Sequence, residues 1–117
     1  MNKQQVILRK AGKLRWIDMP FEHVQMAPLR ENDKGGGAVF LKVAQGAAFP
    51  LHDHPGGEEV YVIYGRATIG DLVVEEGDYL WTAPGGIHGL EAEEETLLFI
   101  SAPGGIKVLD QTSESEQ

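Results

Sequence analysis

Glycine and proline interrupt this chain so often that long helices are ruled out, and the stretches between them read as short β-strands. The 117 residues include 15 glycines and 6 prolines, and the apolar runs they separate are rich in Val, Ile, Tyr, Phe and Trp. No segment keeps the apolar period of an amphipathic helix; only Glu91 to Glu95 allows a turn of helix. Strands are expected near Val6–Arg9, Leu14–Asp18, Val24–Leu29, Ala38–Ala44, Ala48–His52 and Glu59–Tyr64. Further strands are expected near Arg66–Ile69, Leu72–Val74, Asp78–Thr82, Gly89–Glu91, Thr96–Ser101 and Ile106–Leu109. Many short strands at this spacing fold as a sandwich or a barrel.

Side-chain alternation adds detail. From Gly37 to Ala44, Val39, Leu41 and Val43 share one face while Phe40, Lys42 and Ala44 share the other. That is a strand with one buried side. Val60–Tyr64 and Leu97–Ile100 are apolar on both faces, so their outer side needs a cover, either a second sheet or a second subunit. A homodimer is the economical expectation. The acidic end DQTSESEQ has no apolar anchor and is expected to be disordered.

Composition narrows the function classes. A chain of this length fits one domain with a continuous core. It has no cysteine, which removes disulfides, thiolate metal sites and cysteine nucleophiles together. The net charge is -8, from 18 acidic and 10 basic residues. An acidic surface without a basic stripe repels phosphate backbones, so no nucleic-acid partner is expected. No window is apolar enough for a membrane-spanning helix, and MNKQQVILRK lacks the apolar core of a signal peptide. A cytoplasmic location is expected.

The chemistry lies in the histidines. Of the four present, two stand as His52-Asp53-His54. The side-chain period of a strand is two, so both imidazoles project from one face and can share an ion at about 2.0–2.1 Å. Pro55-Gly56-Gly57 then forces a turn, followed by Glu58, Glu59 and the run Val60–Tyr64. The turn lets a carboxylate swing back to the imidazoles. Glu58 shares parity with Val60 and Val62, and Glu59 with Tyr61 and Ile63; both sets are apolar, so parity leaves either carboxylate open. His88 follows the turn Ala83-Pro84-Gly85-Gly86 and reaches the same cavity if Asp78–Thr82 pairs beside the earlier strands. His23 lies far from any such pattern and reads as a surface or strand-end residue. Each feature alone is common in all-β proteins; their joint order is not.

That order resembles the two cupin motifs. The segment from Gly46 through His52, His54 and Glu58 to Gly65 has every fixed position of the first motif, whose closing six-residue spacing selects Glu58 over Glu59. The segment Gly77 to His88 is similar to the second motif, with Ala83 where proline is usual and Pro84 one place later. The asparagine often found after the second histidine is replaced by Ala92. The run HDHPGGEEVYVIYG resembles most the cupin half of ChrR-type anti-sigma factors. The resemblance implies an all-β cupin jelly-roll barrel (a double-stranded β-helix), usually dimeric, with a metal held by His52, His54, Glu58 and His88. In that subfamily the metal is zinc. The domain is expected over residues 1–109, with its core at about 38–109 and the tail at 110–117. ChrR-type factors also carry a cysteine-bearing helical domain that grips the sigma factor. With no cysteine and no room ahead of the barrel, sigma-factor binding is not expected here.

Three imidazoles and a carboxylate are borderline ligands that suit zinc, iron, nickel, copper or manganese. Tetrahedral zinc with four protein ligands is closed, whereas an octahedral ion keeps two positions for other ligands. The first case is a binding or sensing protein. The second is an oxygenase or isomerase for a small oxygen-rich molecule such as a diketone or phenol. Phe40, Phe49, Tyr61, Tyr79 and Trp81 are candidates for pocket lining, with plain core packing as the alternative. No Lys or Arg stands where it would clamp a substrate.

Overall fold

The computed structural model describes residues 5–109, and the expected tail at 110–117 lies outside them. Among the described residues eleven strands form: β1 (Ile17–Asp18), β2 (Val24–Glu31), β3 (Gly37–Val43), β4 (Ala48–His54), β5 (Glu58–Tyr64), β6 (Arg66–Ile69), β7 (Leu72–Glu75), β8 (Tyr79–Thr82), β9 (Gly86–Ala92), β10 (Thr96–Ala102) and β11 (Lys107–Val108). They make two antiparallel sheets, in the orders β1-β2-β3-β10-β5-β8 and β11-β4-β9-β6-β7. The inner faces stack into one core, with Val24, Leu41, Val43, Val60, Val62 and Leu98 from the first sheet. Phe49, Ala67, Ile69, Val74, Leu90 and Ala92 meet them from the second. This is the jelly-roll barrel that the strand pattern and the motifs imply.

The chain changes sheet between β5 and β6 at Gly65. Its φ of +101° is open to glycine, and a Cβ there would run into the backbone of Glu95 and Thr96. A second close approach matters for the site. Gly56, in the turn after β4, packs against Gly104, where a Cβ would lie 2.7 Å from the Gly104 nitrogen. The turn that separates the HxH pair from Glu58 is therefore held against the β10–β11 loop.

Two expected elements do not form. Val6–Arg9 has no ladder partner among the described residues, and Val6 and Leu8 are largely exposed. A strand needs a free edge. The second half of β2, which Arg9 reaches through a 2.8 Å bond from its Nε to the Leu29 carbonyl, carries Pro28 and a bulge between Pro28 and Arg30. Without the proline N–H and with the register broken, that edge cannot take another strand. The turn of helix at Glu91–Glu95 is likewise absent. β9 runs on to Ala92, and the amides of Glu93 and Glu94 both donate to the Arg66 carbonyl, at 2.8 and 3.1 Å.

The end of the barrel that concerns function is built on β4 and β9. They pair antiparallel with His52 opposite His88 and His54 opposite Gly86. The register shifts between Phe49 and His52. Pro50 stands in that interval, unable to donate to the ladder. The extra residue lets Phe49, His52 and His54 all face inward, although Phe49 and His52 have opposite parity.

Candidate metal centre

His52, His54, Glu58 and His88 come together with one donor atom each, all within 4.8 Å of one another. β4 supplies the first two at strand period, the Pro55–Gly57 turn returns the chain so that β5 begins on Glu58, and β9 brings His88 across from His52. The three imidazoles pack with ring centroids 4.4, 4.4 and 5.0 Å apart. His54 is fully buried, and His52 and Glu58 nearly so, at 5% and 4% exposure.

Hydrogen bonds set the rings. The Nδ1 of His52 donates to the Pro50 carbonyl and that of His54 to the Gly86 carbonyl, each at 2.7 Å. A carbonyl can only accept, so the proton sits on Nδ1 and each Nε2 presents a lone pair. The Nε2 of His54 is buried with no hydrogen-bond partner. It faces Glu58 Oε1 at 3.3 Å, and the Nε2 of His88 faces the same oxygen at 3.5 Å. Buried acceptors pointed at one another are costly unless a cation stands between them. Donors bound to one ion at about 2.0–2.1 Å are separated by roughly 3–4 Å, which matches these spacings. Burial lowers the pKa of His52, and the neighbouring His54 and His88 add to this against the opposing pull of the Pro50 carbonyl and Glu58. The ring is thereby kept in the neutral form that a metal requires.

The ambiguity between the two glutamates is gone. Glu58 points inward, whereas Glu59 is exposed and accepts a 2.8 Å hydrogen bond from the Tyr79 hydroxyl. His23 is exposed in a turn at φ 62°, away from the cluster. The condition set for His88 is met: β8 pairs beside the earlier strand β5 in the first sheet, and His88 reaches the cluster from the neighbouring strand β9, beside β4 in the second. The proposed pocket aromatics are corrected. Only Phe49 faces the cavity, its ring 4.7 Å from that of His52. Tyr61, Tyr79 and Trp81 are 48, 58 and 60% exposed, and Phe40 meets Phe99 edge to face on the same outer face. The carbonyls of Pro50, two residues back on β4, and of Gly86, on the paired strand β9, are new participants that nothing in the sequence marks.

A cavity of about 300 Å³ opens onto His52, Glu58 and His88. Among the described residues no helix is long and apolar enough to cross a membrane.

Comparison with known proteins agrees with this geometry. The chain is 30% identical over 73 residues to the DNA damage-repair/toleration protein DRT102 of Arabidopsis thaliana, a match that covers 57% of this chain. The chain spans only 24% of the length of that curated relative. An RmlC-like cupin protein of Ralstonia eutropha superposes with a TM-score of 0.77 at 21% identity, covering 96% of this chain and 78% of that one. An acetylacetone dioxygenase of Acinetobacter johnsonii superposes at 0.80 with 12% identity, covering 96% and 82%. At these identities the two structures speak to fold alone. The model of the ChrR cupin-like domain matches residues 4–106, and with the two motifs and the barrel in place, the chain belongs to the ChrR cupin-like family.

Proposed function

We propose that this protein is a metal-binding cupin that holds one divalent transition metal through His52, His54, Glu58 and His88. The observation that carries this reading is the orphaned Nε2 of His54, buried and facing the Glu58 carboxylate without a hydrogen bond. Three neutral imidazoles and one carboxylate suit zinc first, with iron, manganese or nickel as fits for the same donors. The chain's own part is to present lone pairs and to fix the tautomers of His52 and His54 through the Pro50 and Gly86 carbonyls. Metal analysis of protein purified without added metal tests the assignment. Replacing His52 and His54 together by Ala abolishes stoichiometric metal; metal retained by that variant sinks the site.

A second reading is catalytic, and the cavity beside three of the four ligands supports it. In it the protein is a metal-dependent dioxygenase or isomerase for a small oxygen-rich molecule such as a diketone or phenol. The bound metal supplies Lewis acidity toward such a molecule. The similarity to an acetylacetone dioxygenase is in keeping with this reading. Oxygen uptake or turnover of diketones and phenols by iron- or manganese-loaded protein decides it. If zinc is native and all reconstituted forms are inert, the protein is a binding or sensing module.

We further propose a homodimer. Tyr61, Tyr79 and Trp81 on the outer face, and the unpaired arm with Val6 and Leu8, leave apolar surface uncovered within one chain. A second copy would cover both. Sedimentation equilibrium distinguishes the dimer from the monomer.

A further inference from the structure

The walls of the cavity differ sharply from its floor. The floor is His52, Glu58 and His88; the walls are hydrocarbon, principally Met26, Val39, Leu41, Leu98 and Ile100. Among the described residues no Ser, Thr, Asn, Gln, Tyr or Lys lines it. The charged residues beyond the floor are Arg30 and Glu31, both exposed among the residues at the mouth with Gly35, Gly36, Gly37 and Gly105. Between the floor and the mouth a ligand therefore finds no polar side chain to bond. Hydroxyls on that part of it would be buried unsatisfied, each at a cost of about 1–3 kcal/mol.

Charge gives a second constraint. A divalent ion with one carboxylate and three neutral imidazoles leaves a single positive charge on the floor. One negative charge on the ligand neutralises it. A second would be buried with no cation nearby, since Arg30 is exposed at the mouth.

Resting on the metal reading above, we propose that the site takes a small, hydrocarbon-bodied molecule that chelates through one pair of oxygens and carries at most one negative charge when bound. Enolisable diketones and hydroxylated aromatics fit this description. Sugars, polyols and dicarboxylates do not. Val39 and Ile100, opposite one another across β3 and β10, limit the length of the hydrocarbon body.

The test is binding, followed through the visible band of cobalt(II)-loaded protein. Acetylacetone and its longer-chain homologues shift the band, and affinity rises about fourfold for each added methylene until the cavity is full, the ~0.8 kcal/mol of one buried CH₂. Oxalate and gluconate leave the band unchanged at concentrations a hundredfold higher, with cobalt retention checked by gel filtration. Val39→Phe keeps full cobalt loading and weakens binding of the longest homologue about tenfold or more. Oxalate or gluconate binding as tightly as acetylacetone, no diketone binding, or affinity independent of chain length overturns the proposal; the wild-type series decides it even if Val39→Phe misfolds. Failure of the protein to load cobalt refutes the metal reading instead, and this inference falls with it.

Discussion

Glu58 and Glu59 are adjacent, chemically identical and on opposite faces of one strand. Glu58 is 4% exposed, between His54 and His88, on the same side as buried Val60 and Val62. Glu59 lies in solvent with Tyr61, Tyr79 and Trp81, tied to a tyrosine hydroxyl. The inner face puts a carboxylate in a buried site beside two imidazoles, where a bound cation would offset the cost of its burial. The outer face lays out aromatic side chains that a single chain leaves uncovered. A residue's chemistry here is set by its face, and the face by which sheet stacks over the strand.

The sharpest way to break this comparison is to neutralise each glutamate in turn. Glu58→Gln is expected to weaken metal binding by roughly 100-fold or more, beyond the effect of losing a supporting group, while Glu59→Gln leaves stoichiometry unchanged in elemental analysis. Equal effects of the two would refute the inward assignment. Stripping the metal with a chelator comes next. Metal held at about a hundred times its Kd adds ~2.7 kcal/mol, so the melting temperature should fall by roughly 10 °C or more, and by far less in Glu58→Gln.

Stability separates the two faces in the same strand. Val62→Ala, at a fully buried inner position, should cost ~2 kcal/mol in denaturant unfolding. Tyr79→Phe, which removes only the exposed bond to Glu59, should leave the denaturation midpoint where it was. Between these lies the pH effect. Burial holds the pKa of His52 below its ordinary value near 6.5. Below that pH the unfolded chain takes up a proton that the folded ring resists. The contribution of His52 is thus present above about pH 6.5 and is lost as pH falls toward the folded pKa. Metal-free protein should lose more stability between pH 7.5 and 5.5 than its His52→Gln variant does; an equal loss would remove His52 as the cause.

Strand positions were legible because their signals are local. Arg66–Ile69 forms with the bounds that its flanking glycines suggest, and β2, β3 and β10 lie within two residues of expectation. The grouping of His52 and His54 with Glu58 was legible for a related reason: HxH at strand period, a forced turn and a returning carboxylate lie within seven residues, with the motif spacing selecting Glu58, whereas His88 came from the second motif. Val6–Arg9 misled because an apolar run reports strand propensity but says nothing of whether an edge is free, and Pro28 had spoiled that edge. The aromatics misled because an aromatic in a strand reports strand propensity and not which face is inner; Phe49 faces inward with His52 through a bulge at Pro50, and Tyr61, Tyr79 and Trp81 face out.

By itself the sequence determined an all-β chain, its breakpoints and the local grouping of the HxH pair with a returning carboxylate, since these follow from backbone preferences and spacing along a few neighbouring residues. Only the tertiary structure decided that His88 arrives through β9, that His54 keeps an unpartnered lone pair beside Glu58, and that the cavity above them is hydrocarbon. Those features depend on strand register and on the stacking of two sheets, which bring together side chains from distant parts of the chain, and no local preference encodes them.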